Sequence, residues 1–164
     1  MQIQAQQELA KINLQDQDIK DRSQLRRAVY VQFLNQVTIA SNKLNALSRV
    51  KNLPTADPSS EFYSPIEDEL NSLLTHLNLI RLEGPHHVTV AAEILFSKLK
   101  LEFVSIMSGV LGVQEDLALA MRKLSKEAYR SASQQTVKAQ HHFIHLAQAA
   151  LEMPGEPASN DHQT

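Results

Sequence analysis

The chain has 164 residues, a length that suits one domain with a buried core, and its formal net charge is -2. Hydrophobic residues make up 43% of the chain, aromatic residues make up 5%, and glycine occurs only four times, a composition that favours helices over sheets. Because the chain has no cysteine, disulfides, thiolate zinc sites and cysteine nucleophiles are excluded.

Residues 1–21 predict an amphipathic leader, either a helix that docks on a partner or a partly disordered segment. Leu9, Ile12 and Ile19 fall near heptad spacing, although Asp16 interrupts the stripe. Such a leader ahead of a helical bundle often mediates dimerisation or anchors a partner, so these three apolar residues are the predicted partner-binding set. The leader lacks the basic-then-apolar order of a signal peptide.

The first main helix is predicted from Asp21 or Ser23 to about Lys51. A serine or aspartate favours a helix start, and the proline at position 54 disfavours helical geometry just before it. Apolar residues then recur in steps of four and three, which predicts the buried face of this helix. That face comprises Val29, Phe33, Val37, Ala40, Leu44 and Leu47.

A loop is predicted over residues 54–64, and Ser64-Pro65 is a strong start for the second helix. Gly84 is expected to end this helix and Pro85 to begin the next, with His86 and His87 on the first turn of that helix. The predicted buried stripe of the second helix is Ile66, Leu70, Leu73, Leu77 and Ile80.

The third helix is predicted to run from about Pro85 to Leu111 and to be apolar on two sides. A helix of this kind usually lies between two neighbours, so we expect it at the centre of the domain. One side carries Val88, Ala92, Leu95, Leu99, Phe103, Ile106 and Val110, and the other carries Val90, Ile94, Leu101 and Val104.

The last helix is predicted to begin near Gln114 and to end before Pro154-Gly155. Residues 154–164 are expected to form a disordered tail. The predicted fold is therefore all-α: an antiparallel bundle of four main helices over residues 22–153, with an additional N-terminal amphipathic helix. The seam expected for the last helix is Leu117, Met121, Leu124, Ala128, Ala132, Ala139, Phe143, Leu146 and Ala150.

Candidate chemistry is sparse. His141 and His145 lie four residues apart on one helical face, a spacing that can chelate a metal, but the intervening glutamate of the HExxH pattern is missing. The sequence carries no glycine-rich phosphate loop and no GxSxG elbow. We therefore expect no enzyme and no cofactor, and a small-ligand or metal-sensing bundle is retained as an alternative.

Two basic clusters support a second alternative, a nucleic-acid-associated regulator. Arg22, Arg26 and Arg27 form the denser cluster with Lys20, and Arg122 and Lys123 belong to the other. Either cluster could contact phosphates, but the chain is slightly acidic and shows no helix-turn-helix spacing.

Three stretches, "RRAVYVQFLNQV", "LIRLEGPHHVTVAAEIL" and "FVSIMSGVLGV", resemble a class of uncharacterised bacterial helical proteins of actinobacterial type. Arg26, Tyr30 and Phe33 fit its first helix, and Gly84-Pro85 and Ala91-Ala92 fit its helix junction and following helix. The likeness spans about residues 23–113. It implies a four-helix arrangement in which the Gly-Pro corner is structural, and it implies no activity.

These observations favour a non-enzymatic interaction or scaffold protein that uses a helix face to bind itself or a protein partner. Self-association into a homo-oligomer is the preferred form of this hypothesis. The longest apolar run falls well short of the roughly 20 residues that cross a bilayer, so we expect a cytoplasmic protein without a membrane span.

Overall fold

The computed structural model describes residues 2–49, 64–108 and 115–153, with side chains for 6–49, 64–107, 124 and 126–153. Across these ranges there are four α-helices and no strand: α1 (Gln2–Ser48), α2 (Ser64–Glu83), α3 (His86–Ser108) and α4 (Glu115–Glu152). The all-α prediction is confirmed. The predicted 154–164 tail and most of the 54–64 loop lie outside the described residues.

α1 differs from its prediction at the N-terminus. It is one continuous helix of 47 residues, which begins at Gln2 rather than at Asp21 or Ser23. Residues 2–20 are therefore the first part of α1 and not an additional helix. Glutamine, leucine, alanine and lysine favour helices, and no glycine or proline interrupts this stretch. Asp21 and Ser23, the predicted helix-start residues, lie inside α1.

The predicted buried faces of α1 and α2 are confirmed. All six apolar residues predicted for α1 and all five predicted for α2 are buried, because steps of four and three keep them on one side of a helix. On α3, Val88, Ala92, Leu95, Leu99 and Ile106 are buried as predicted, and Phe103 is partly buried.

The second apolar line of α3 is exposed in the described part of the chain. The helix nevertheless contacts α1, α2 and α4, as expected of a helix that lies between neighbours. Its buried residues lie on the opposite side, whereas Glu93 and Lys98, which flank the exposed line, reach Arg81 of α2 and Gln135 of α4. The exposed residues are Val90, Ile94, Leu101 and Val104, with 37%, 45%, 50% and 57% of their surface accessible.

The corner between α2 and α3 is tightly packed. The Gly84 N–H donates to the Ile80 carbonyl at 2.7 Å, and the Pro85 carbonyl accepts from the backbone N–H groups of Val88 and Thr89, each at 3.0 Å. A Cβ on residue 84 would lie 2.8 Å from that Ile80 oxygen, so only glycine fits here without displacement. The side chain of Pro85 is fully buried, which supports the structural role predicted for this corner.

Polar contacts join α1 to α2 at two levels. Near the end of α1, Lys43 pairs with Glu69 in the second turn of α2, and Gln36 donates to the same carboxylate. The hydrogen bond from Lys43 holds the pKa of Glu69 below its ordinary value. Earlier in α1, the Arg26 Nε donates to the carbonyl of Glu83, the last residue of α2, at 2.7 Å.

Aromatic side chains join α1 to α4. The rings of Phe33 and Phe143 have centroids 5.2 Å apart, and Tyr30 meets Phe143 edge-on at 6.0 Å. Such pairs contribute about 0.5–1.5 kcal/mol beyond the area they bury. All three rings are at most 2% exposed, so they form the centre of the contact between these helices.

The α4 seam is partly as predicted. Ala132, Ala139, Phe143 and Ala150 are buried, whereas Leu124 is 61% exposed and Ala128 is also exposed. Phe143 lies beside Phe33 of α1. Gln134 lines the same cleft as Asn42, which is six residues before the end of α1. Leu124 lies ten residues before Gln134, near the N-terminal end of the part of α4 whose side chains are described.

None of the helices in the described ranges is long and apolar enough to cross a membrane.

Candidate interaction surface

The N-terminal part of α1 projects from the rest of the described structure. Every side chain from Gln6 to Arg22 is exposed, and these 17 positions cover all sides of nearly five helical turns. Nothing in the described parts of the chain packs on this stretch, which at 1.5 Å per residue is about 26 Å long. We call residues 6–22 the N-terminal segment.

The predicted partner-binding residues lie in this segment and are all exposed. Leu9 is 61% accessible, Ile12 53% and Ile19 41%. They lie on one helical face, as the heptad spacing predicts. Single exposed apolar side chains are common on protein surfaces. Three aligned apolar side chains on a helix without neighbours are typical of an interaction face.

The four-three spacing of this face continues into the buried seam of α1. Steps of four and three lead from Leu9 and Ile12 through Asp16, Ile19 and Ser23 to Arg26, where burial begins, and on to the core. We call this line the α1 seam, and its buried members are Arg26, Tyr30, Phe33, Val37, Ala40, Leu44 and Leu47. The same line of side chains thus packs on other helices from Arg26 onwards and is uncovered in the N-terminal segment.

The segment lacks a packed face in the described structure. Most helical stability in proteins comes from packing of one apolar face, and no described residue packs on residues 6–22. Asp16 and Lys20 are four residues apart with the acid first, an arrangement that contributes only about 0.2–0.5 kcal/mol. The segment is therefore better stabilised once its apolar face is covered.

One of the basic residues predicted for nucleic-acid contact is buried. Arg26 is only 5% exposed, and its Nε donates to the Glu83 carbonyl, so little of this side chain is accessible to a phosphate. Arg22 and Arg27 are exposed on either side of it. The side chains of Arg122 and Lys123 lie outside the described residues.

The histidines His141 and His145 are both exposed on α4. Within the described ranges, no three histidine, cysteine, aspartate or glutamate side chains come together as a metal site. The two histidines thus have no third ligand among the residues that the structure describes.

A buried carboxyl group, Glu102, was missed by the sequence reasoning. It is 2% exposed and lies at a cleft of about 500 Å³ between α1, α3 and α4, which Asn42 and Gln134 also line. Burial raises the pKa of Glu102, and a hydrogen bond with Thr136 partly opposes that rise. The Thr136 hydroxyl lies 3.2 Å from the Ala132 carbonyl, so a protonated Glu102 can donate to Thr136 while Thr136 donates to that carbonyl.

The sequence did contain a signal for Glu102. It occupies a four-three step between Leu99 and Ile106, so it lies on the buried side of α3. Thr136 takes the equivalent place on α4, between Ala132 and Ala139. Glu102 and Thr136 are polar residues at seam positions, and both are buried. A search for the period of apolar residues alone misses them, whereas a search that also follows polar residues at the same spacing would find them.

Comparison with protein-family models, with curated proteins and with solved structures finds no match to this chain. The resemblance of residues 23–113 to helical proteins of actinobacterial type stays a prediction.

Proposed function

We propose that this protein is a non-enzymatic interaction or scaffold protein that self-associates through the N-terminal segment of α1. The observation that carries the proposal is the exposure of Leu9, Ile12 and Ile19 on a segment that no described residue covers. Removing such side chains from water contributes about 25 cal/mol per Å² of apolar area, which favours covering them with a partner.

The proposed architecture is an antiparallel four-helix bundle that carries this segment at one end. Contacts at two levels support it: late α1 meets early α2 at Lys43–Glu69, and earlier α1 meets the end of α2 at Arg26–Glu83. Thr89 contacts the Ile80 carbonyl across the next corner. In this arrangement the α2–α3 corner lies at the level of Arg26, and the N-terminal segment extends beyond it.

A second copy of the chain is the preferred partner because the segment can cover its own apolar face in a coiled coil. Heptad positions supply the apolar residues, and Glu8 and Arg22 provide opposite charges on one edge of the seam. The segment spans little more than two heptads and includes Asp16 within the seam. We therefore expect a reversible dimer with an affinity in the micromolar range.

Sedimentation equilibrium of the full chain tests this proposal. The weight-average mass is expected to rise from 18.4 kDa towards twice that value between low and high micromolar concentration. The triple variant Leu9→Ala, Ile12→Ala, Ile19→Ala should stay monomeric, because it removes the apolar contacts while alanine preserves helix propensity.

A matched triple variant controls for general loss of surface hydrophobicity. Leu14, Leu25 and Val31 are 66%, 48% and 51% exposed, and all three lie off the α1 seam. Their replacement by alanine should leave dimerisation unchanged. A full chain that stays at 18.4 kDa at high micromolar concentration would disprove self-association, and equal weakening by both triple variants would move the interface elsewhere.

The two alternative functions remain predictions with their own tests. A nucleic-acid regulator predicts salt-sensitive binding that weakens in Arg22→Ala with Arg27→Ala, since these arginines are exposed. A metal sensor predicts that zinc raises the melting temperature and that His141→Ala with His145→Ala abolishes the rise.

A further inference from the structure

We infer that two copies of the N-terminal segment pair in antiparallel orientation, centred on Leu14, so that each segment extends to the body of the other copy. This inference rests on the proposed self-association. It follows from where the charged and apolar residues fall on the α1 seam, together with the position at which burial begins.

In the antiparallel alignment, apolar residues meet apolar residues at both ends of the pairing. Leu9 of one copy lies beside Ile19 of the second copy, and the reverse contact forms by symmetry. Asp16 then lies beside Ile12 of the second copy, with Lys20 one turn away on its own helix. No two Asp16 side chains meet.

The charges on the edge of the seam agree with this alignment. Glu8 and Arg22 are two heptads apart, so they share one edge of the helix, and both are exposed. When two helices pair antiparallel about Leu14, this edge meets its own copy, and Glu8 of each chain faces Arg22 of the other. The dimer gains two such ion pairs.

A parallel pairing is disfavoured by the same residues. In register, Asp16 would meet Asp16 within the interface, where an unpaired charge is costly to bury. Arg22 would also approach Arg27 of the second copy, because edge positions of parallel coiled coils interact across a five-residue offset. Both contacts bring like charges together, and neither arises in the antiparallel pairing.

The point where burial begins on the α1 seam fits the antiparallel pairing. Leu9 and Ile19 lie five residues before and after Leu14, and both are exposed. Burial on the seam begins at Arg26, which contacts the end of α2. Pairing centred on Leu14 therefore covers Leu9, Ile12 and Ile19 of both copies and extends each α1 towards the α2–α3 corner of the other.

Disulfide trapping tests the orientation on a clean background, because the full chain has no cysteine. A tagged Leu9→Cys chain mixed with an untagged Ile19→Cys chain should form the mixed disulfide. Leu9→Cys alone should not crosslink, because ten residues of helix separate the two Leu9 positions by about 15 Å, beyond disulfide reach. Crosslinking between two Leu9→Cys chains would overturn the antiparallel alignment.

Charge reversal gives an independent readout. Glu8→Arg and Arg22→Glu should each weaken dimerisation about tenfold, because each converts two ion pairs into two repulsive pairs. The double variant Glu8→Arg, Arg22→Glu should recover to within about threefold of the original affinity, since the pairs reform. A parallel dimer predicts instead that Arg22→Glu alone strengthens association, by relieving repulsion with Arg27.

These outcomes separate the inference from the proposed function. A dimer whose Leu9→Cys chains trap each other, or in which Arg22→Glu strengthens association, contradicts only the orientation. A chain that remains monomeric in sedimentation overturns self-association and the orientation together.

Discussion

Replacing Arg26 with alanine should destabilise the fold, whereas replacing its neighbour Arg27 should not. Arg26 is 5% exposed and its Nε donates to the Glu83 carbonyl at 2.7 Å, at the negative end of the α2 dipole. Arg27 is exposed. The two variants change the net charge equally, so a difference between them reports burial and hydrogen bonding rather than charge.

The expected size follows from these contacts. A hydrogen bond from a charged donor contributes about 1.5–3 kcal/mol, and the buried Arg26 stem also packs against apolar surface. We expect Arg26→Ala to cost about 2 kcal/mol of unfolding free energy and Arg27→Ala less than about 0.5 kcal/mol.

Urea denaturation followed by circular dichroism at 222 nm measures both values. With a typical slope of about 1–3 kcal/mol per molar urea, the Arg26→Ala midpoint should fall by roughly 1 M. Equal, small effects of the two substitutions would refute the structural role assigned to Arg26. They would also return this residue to the candidate nucleic-acid surface.

Three further predictions concern the body of the fold. Phe143→Ala should cost about 3–5 kcal/mol in urea denaturation, because its fully buried ring is removed from between two other aromatic rings; a loss below about 1 kcal/mol would show that α4 is not firmly docked. Gly84→Ala should cost about 1–3 kcal/mol, since its Cβ would press on the Ile80 carbonyl, and an unchanged midpoint would contradict that geometry. Burial raises the pKa of Glu102, so the folded state binds the proton of this carboxyl more tightly than the unfolded state does. The stability that this binding contributes is lost as the pH rises from the ordinary pKa of 4.5 through the raised pKa of the folded state. Melting temperatures across this pH window should therefore fall less in Glu102→Gln than in the original chain, and parallel curves would count against a buried titrating carboxyl.

The helical fold and most of its core were predictable because the periodicity of apolar residues is strong. The α2 stripe is regular and bounded by Ser64-Pro65 and Gly84, and every member is buried. The Gly-Pro corner was also identified from local chemistry alone. These features depend on nearby residues, so a single sequence contains the information.

The errors arose where burial depends on distant helices. Val90 and Ile94 are apolar and periodic, yet both are exposed. Arg26 looked like a surface charge, and its burial requires the end of α2 to lie beside it. The position of Glu102 beside Thr136 likewise depends on the pairing of α3 with α4.

The candidate interaction surface was predictable in composition but not in form. Leu9, Ile12 and Ile19 were identified from heptad spacing, yet the start of a separate helix was expected near Asp21. The helix continues through this point because no residue there breaks it, and potential capping residues also occur inside helices. Its continuity places these apolar residues on the same seam as the core.

Hydrogen–deuterium exchange of the full chain at several concentrations tests the central claim most directly, because it reports on the N-terminal segment itself. An uncovered helix opens readily, whereas a helix covered in a dimer exchanges slowly. We predict that amide protection of residues 6–22 rises with concentration across the micromolar range, while protection of the α1 core around Phe33 stays constant. Protection of residues 6–22 that does not change with concentration would contradict self-association through this segment.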